Sequence, residues 1–194
     1  CIYRAPDNGA VCLGRRPVRD QAGMSVLVQR ARRAEASALE ELYAQFGRML
    51  FRVAYGLTQS EVDAEDVIQD VFAGLPEALR SYEARGRLED WLKTVVTRRS
   101  LMVLRQRRRR REIPLDGPPV VHPVERAEPV VDRVALQRAL ARLPDSLRAV
   151  FVLKEIEGYS HEEIGKIMGI GKHGSASRLH RARKLLRERL RHSA

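Results

Sequence analysis

From Met24 onward, apolar residues recur three and four positions apart, the spacing that lines one side of an α-helix. Leu39, Leu42, Tyr43, Phe46, Met49, Leu50, Val53, Ala54 and Leu57 make one such stripe, about five turns long, with Gly47 placed to bend it. Thr58 to Ser60 end it, and Ala64, Val67, Ile68, Val71, Phe72 and Leu75 form a second stripe. A glycine-containing connection follows between Pro76 and Asp90, bearing Arg80, Arg85 and Arg87. The pattern then predicts a long helix from about Leu88 to Arg111, with Trp91, Leu92, Val95, Val96, Leu101 and Leu104 on its apolar side.

Residues 112–131 hold five of the nine prolines. Proline lacks a backbone donor and disfavours helix at the residue before it, so this segment is expected to be an extended linker. Periodicity resumes near Asp132, with Val134, Leu136, Leu140 and Leu143 on one face until Pro144. A further helix starts at Asp145 or Ser146, uses Leu147, Val150, Phe151 and Leu153, and ends at Glu157-Gly158, where glycine suits a C-cap. The reading is an all-α chain of two small helical domains, 24–111 and 132–194, joined by the proline-rich linker 112–131. Residues 1–23 lack helical periodicity and precede the first methionine, and are expected to be a disordered extension.

The stretch SHEEIGKIMGIGKHGSASRLHRARKLL, Ser160 to Leu186, has the layout of a helix-turn-helix. Ser160 with Glu163 is a capping-box start. Ile164, Ile167 and Met168 give a short helix its apolar stripe, and Gly169 can take the positive φ of a tight turn. Gly165 lies where the two helices are expected to cross closely. An arginine-rich helix follows from about His173 to Leu190. Its counterpart in the ordinary reading is a plain helical hairpin, which the stretch alone does not exclude.

Charge sharpens this picture. Lys and Arg exceed Asp and Glu by 36 − 25 = 11, and the sequence pI is near 10.4. Such a balance points to a polyanionic partner, nucleic acid before an anionic membrane surface. Arg98, Arg99, Arg105 and Arg107 to Arg111 put eight arginines and no acid into residues 98–111. Because they grow out of an amphipathic helix, they are expected to contact phosphate from a fixed support. Residues 61–70 run the other way, with five acids and no base, which predicts a docking face. From Ser160 to the end, nine Lys and Arg oppose three Glu.

The start lacks the apolar core of a signal peptide, and no apolar run approaches the roughly 18–20 residues that span a bilayer, so the expected location is cytoplasmic. Cys1 and Cys12 make no CxxC pair and the five His are scattered, so no metal site and no cofactor are expected. Nor does any paired-carboxylate, Ser/His or phosphate-loop arrangement stand at a usable spacing for catalysis, so no enzyme is expected.

Two blocks carry a family resemblance. DAEDVIQDVF, Asp63 to Phe72, followed by Trp91-Leu92 and an arginine-rich helix end, resembles the polymerase-binding helix of bacterial sigma factors of the extracytoplasmic-function (ECF) group of the sigma-70 family. LPDSLRAVFVLKEIEGYSHEEIGKIMGI with SRLHRARKLL, within Leu143 to Leu186, is similar to that family's promoter-binding domain.

The resemblance implies a transcription initiation factor whose first domain (sigma region 2-like) binds core RNA polymerase and opens the promoter at the minus-10 element. Its polymerase-binding set would be Asp63, Glu65, Asp66, Gln69, Asp70 and Phe72. The loop Ser81 to Asp90 would hold an extruded base, and Arg85, Arg87, Trp91, Arg98, Arg99, Arg105 and Arg108 would form the DNA surface. The second domain (sigma region 4-like) would read the minus-35 element through Ser177, Arg178, His180, Arg181, Arg183 and Lys184. Partners would be core RNA polymerase, promoter DNA and the anti-sigma factor such proteins often have. The chain departs from the family pattern at Arg98 (usually Asn), Met102 (commonly Asp), Gly174 (a DNA-facing Thr) and Ser175 (an apolar residue), so no base contact is carried over at 172–176. A stand-alone helix-turn-helix regulator that binds operators without polymerase is the alternative, and the acidic helix argues against it.

Overall fold

The computed structural model describes residues 21–83, 86–112 and 131–191. Among them there are helices, turns and no strand. In order they are α1 (Gln21–Arg32), α2 (Ala36–Thr58), α3 (Glu61–Ala73), α4 (Leu75–Arg80), α5 (Leu88–Glu112), α6 (Val131–Ala141), α7 (Asp145–Phe151), α8 (His161–Met168) and α9 (Gly171–Arg191). A π-helical segment, Val152–Ile156, continues α7. The chain falls into two compact units: the part up to Ala54 with Ala64–Arg99, and Tyr55–Asp63 with Ser100 onward.

In the first unit the expected stripes are the core. Leu42, Leu50, Val53, Val67, Val71, Leu75, Leu79, Leu92 and Val96 are all at most 2% exposed. Each such side chain contributes roughly 1.5–3 kcal/mol through the water it sheds. Arg32 ties α1 to the end of α4, donating from Nε to the Leu79 carbonyl at 2.9 Å and from Nη2 to the Tyr82 carbonyl at 2.6 Å. Tyr82 is buried against Trp91, ring centroids 5.2 Å apart. Its hydroxyl donates to the Gly86 carbonyl at 2.8 Å. Burial pushes the phenol above its ordinary value.

The second unit packs α6 on α9 through Ala139, Leu140, Leu143, Ala182 and Leu186, with Leu147, Phe151, Leu185 and Leu190 beside them. Arg148 lies within this unit at 3% exposure. Its guanidinium donates to the carbonyls of Leu57 (3.0 Å) and Leu143 (2.9 Å) and to Asp145 (2.6 Å). A buried charge is tolerable only when its donors are satisfied in this way.

Several expectations change. Residues 21–23 belong to α1 rather than to a disordered extension; residues 1–20 and 113–130, the bulk of the expected linker, lie outside the described residues. The connection after Pro76 begins as a helix, α4, because proline in a first turn forfeits no hydrogen bond. Leu136, expected on the inner face of α6, is 37% exposed, since the buried residues there are Ala139, Leu140 and Leu143 further along.

Candidate functional site

Of the acids of α3, Glu61, Glu65, Asp66 and Asp70 are exposed and Asp63 is half-buried. Ala64, Val67, Ile68 and Val71 are buried, which turns Val62, Glu65, Asp66 and Gln69 outward. Phe72, one turn beyond Gln69, is half-buried and meets Tyr43 of α2 edge-on, centroids 5.1 Å apart. Tyr43 itself is 56% exposed, although it belongs to the apolar stripe of α2. Asp63 and Asp70 are differently placed, since each is engaged by an arginine of α5. Arg99 donates from Nε to Asp70 at 3.0 Å and from Nη2 to the same oxygen. Arg107 ion-pairs with Asp63. The six residues expected to act together are therefore not equivalent. Glu65, Asp66 and Gln69 face outward and are in no ion pair among the described residues, whereas half-buried Asp63 and exposed Asp70 serve as counter-charges to α5.

On the DNA side expected of the first helices, Arg85 lies outside the described residues. Arg87 is exposed and pairs with Glu89. Trp91 is only 5% exposed, so it does not itself offer a base-stacking surface. It packs against Tyr82, whose hydroxyl in turn donates to the Gly86 carbonyl. Along α5, Arg105 and Arg108 are exposed, while Arg98 and Arg99 are half-buried. The helix starts where Leu88 and Leu92 enter the core, so its second half projects a basic face from an anchored first half.

The helix-turn-helix is built as its residues require. Ser160 accepts from the Glu163 amide at 3.2 Å, and the Glu163 carboxylate accepts from the Ser160 amide at 2.8 Å. Gly169 closes α8 at φ +70°. A Cβ on Gly165 would lie 2.8 Å from the Gly171 carbonyl carbon and 3.1 Å from the Lys172 nitrogen, so α9 passes over α8 where only hydrogen fits. Ser175 occupies the position where an apolar residue is usual in the family, and it is fully buried. Its hydroxyl is satisfied by His161, with Nδ1 at 2.9 Å.

Ser175, Leu179, Ala182 and Leu186 form the buried side of α9. Ser177, His180, Arg181, Arg183 and Lys184 are accordingly exposed, and Arg183 pairs with Glu155 at 2.8 Å. Arg178 departs from the expected set. It stands three residues after Ser175 and four before Ala182, on the flank of the buried side, and is half-buried with Nη1 enclosed and unpartnered. Lys172, His173 and Ala176 are exposed on the same outward face as Ser177 and His180. Residue identity gave no access to them, but the phase of α9 does, because His173 precedes Ser177 by four residues and His180 by seven.

Among the described residues no group of three His, Cys, Asp or Glu side chains gathers as metal ligands would. No described helix is long and apolar enough to cross a membrane.

Comparison with known proteins follows the same division. The family model for Sigma-70 region 2 matches residues 42–110, and that for Sigma-70, region 4 matches residues 133–186. The chain is 34% identical over 182 residues to the ECF RNA polymerase sigma factor SigE of Mycolicibacterium smegmatis, covering 90% of this chain and 70% of that protein. It is 31% identical over 147 residues to SigM of Mycobacterium tuberculosis, covering 75% and 74% respectively. Its fold is similar to that of the sigma factor RpoE from Bartonella quintana, solved with the anti-sigma factor NepR, with a TM-score of 0.58 and 25% identity over 78% of this chain and 96% of that one. Polymerase-region helices, a helix-turn-helix and relatives of this likeness converge on one assignment: the chain belongs to the ECF group of sigma-70 RNA polymerase sigma factors.

Proposed function

We propose that this chain is a transcription initiation factor that binds core RNA polymerase and directs it to promoters, with residues 24–111 serving polymerase and the minus-10 element and 132–194 the minus-35 element. The observation that carries this reading is the outward face of α3. In a chain of net charge +11, Glu65 and Asp66 stand exposed and in no ion pair among the described residues, with exposed Gln69 next to them and the aromatic pair Tyr43 and Phe72 beside. A basic protein surface fits such a face, and DNA does not. An operator-binding regulator would have no use for it.

The loop after α4, fixed by Tyr82 and Trp91, is the proposed seat for an unstacked base, with exposed arginines of α5 along the strand that carries it. The outward face of α9, from Lys172 and His173 through Ser177 and His180 to Arg181 and Lys184, is proposed to enter the major groove. The nucleotide chemistry belongs to the polymerase, so this chain needs no catalytic residues. The likeness to a sigma factor solved with its anti-sigma partner supports an anti-sigma protein as a further partner, and the setting is proposed to be cytoplasmic.

Pull-down with bacterial core polymerase, followed by transcription from a cognate promoter, tests the reading. The double variant E65K/D66K is expected to lower polymerase affinity about tenfold or more, because like charges facing across an interface are strongly unfavourable. Unchanged polymerase binding by this variant would overturn the docking face.

A further inference from the structure

The ion pairs between α3 and α5 join two surfaces that the proposed function keeps apart. Asp70 and Asp63 are two turns apart on α3, and Arg99 and Arg107 are just over two turns apart on α5. Asp70 takes two hydrogen bonds from Arg99, whose side chain is 31% exposed, and Asp63, 17% exposed, faces Arg107. Glu65, Asp66 and Gln69 make no such contact among the described residues.

We propose that Asp70 and Asp63 are positioning residues that hold Arg99 and Arg107 away from nucleic acid in the unbound chain, so that these two acids set the DNA-binding strength of α5. This rests on the reading of α5 as a surface for single-stranded promoter DNA. The physical argument is a competition for one guanidinium. A half-exposed ion pair is worth at most about 1 kcal/mol, roughly a fivefold factor in an equilibrium. A phosphate must displace the carboxylate to recruit the arginine. Each arginine so held is also one fewer phosphate neutralised and one fewer counterion released on binding. The unbound chain therefore presents less free positive charge along α5 than its run of arginines implies, while Arg109 and Arg110, exposed and in no ion pair among the described residues, remain available.

The test is a double-mutant cycle on the full chain, read as affinity for a fluorescent single-stranded oligonucleotide of about 20 nucleotides across a salt series. D70N is expected to tighten binding two- to fivefold and to steepen the slope of log affinity against log salt by about 0.7, the increment for one further phosphate contact on a single strand. E40Q makes the same change in net charge at an exposed acid in no ion pair among the described residues, and is expected to change affinity less than 1.5-fold with no change in slope. D70E, which keeps the carboxylate, should retain wild-type affinity.

In an R99Q background the gain from D70N should disappear. If D70N acts no more strongly than E40Q, or acts equally with and without Arg99, the withholding role is overturned. If instead neither R99Q nor R107Q lowers affinity in any background, including one with Asp70 and Asp63 both replaced by Asn, the reading of this part of α5 as a DNA surface fails along with the proposal built on it.

Discussion

Gly165 shows what a single hydrogen atom decides. The backbone at Gly171 and Lys172 lies 2.8–3.1 Å from where a Cβ would stand, and backbone cannot swing aside as a flexible side chain can. G165A is therefore expected to push α9 off α8, costing about 1–3 kcal/mol as overpacking does, and to weaken minus-35 binding more than tenfold. Thermal unfolding and binding to duplex minus-35 DNA measure the two effects. Unaltered affinity for that duplex would show that the close approach is not needed for function. Gly165 was legible as a crossing point in the sequence, because a glycine one turn before a helix-ending glycine has few other uses. The pairing of Ser175 with His161 was not. A serine in an apolar position reads as a defect until the partner fourteen residues earlier is placed against it.

At the scale of elements, periodicity located the long helices well and their exact ends less well. α9 begins at Gly171, before the glycine at 174 that lowers its intrinsic propensity. That residue has space for a side chain, since a Cβ there would meet Ile170 at 3.5 Å, an ordinary contact. G174A is expected to stabilise the chain by about 0.5–1 kcal/mol, visible as a rise in Tm, by restricting the unfolded chain and favouring helix. A fall in Tm would mean that the contact with Ile170 is tighter than it looks. α4 escaped sequence analysis because one short turn offers too few positions for a period to show. The division of the α3 acids escaped it for another reason. Asp63, Glu65, Asp66 and Asp70 are alike in composition, and only the arginines of α5 opposite Asp63 and Asp70 set those two apart.

For the whole molecule, net charge sets how binding responds to salt. On α9, Arg181, Lys184 and Arg187 are exposed and in no ion pair among the described residues, while Arg183 is engaged by Glu155. If those three meet phosphates, log affinity for duplex DNA should fall with log salt at a slope of about −2.7, a loss of about fortyfold between 50 and 200 mM. A slope near zero would place this helix away from the phosphate backbone. The family was readable from two blocks of residues in order. The all-helical class followed from spacing alone, since a 3-and-4 repeat admits no other regular structure at such length.

What the amino-acid sequence determined by itself was local: helices from apolar period, the capping box from Ser160 and Glu163, the turn from Gly169, and the basic and acidic stretches from composition. These depend on residues within a turn or two of one another, so the chain carries them wherever it goes. What the tertiary structure decided was which like-looking residues differ. Asp70 is paired while Asp66 is in no ion pair among the described residues, Trp91 is buried while Arg87 is exposed, and Arg178 is half-buried while His173 is exposed. Each of those outcomes depends on a group distant in sequence being brought within a few ångströms, and spacing along the chain holds no record of it.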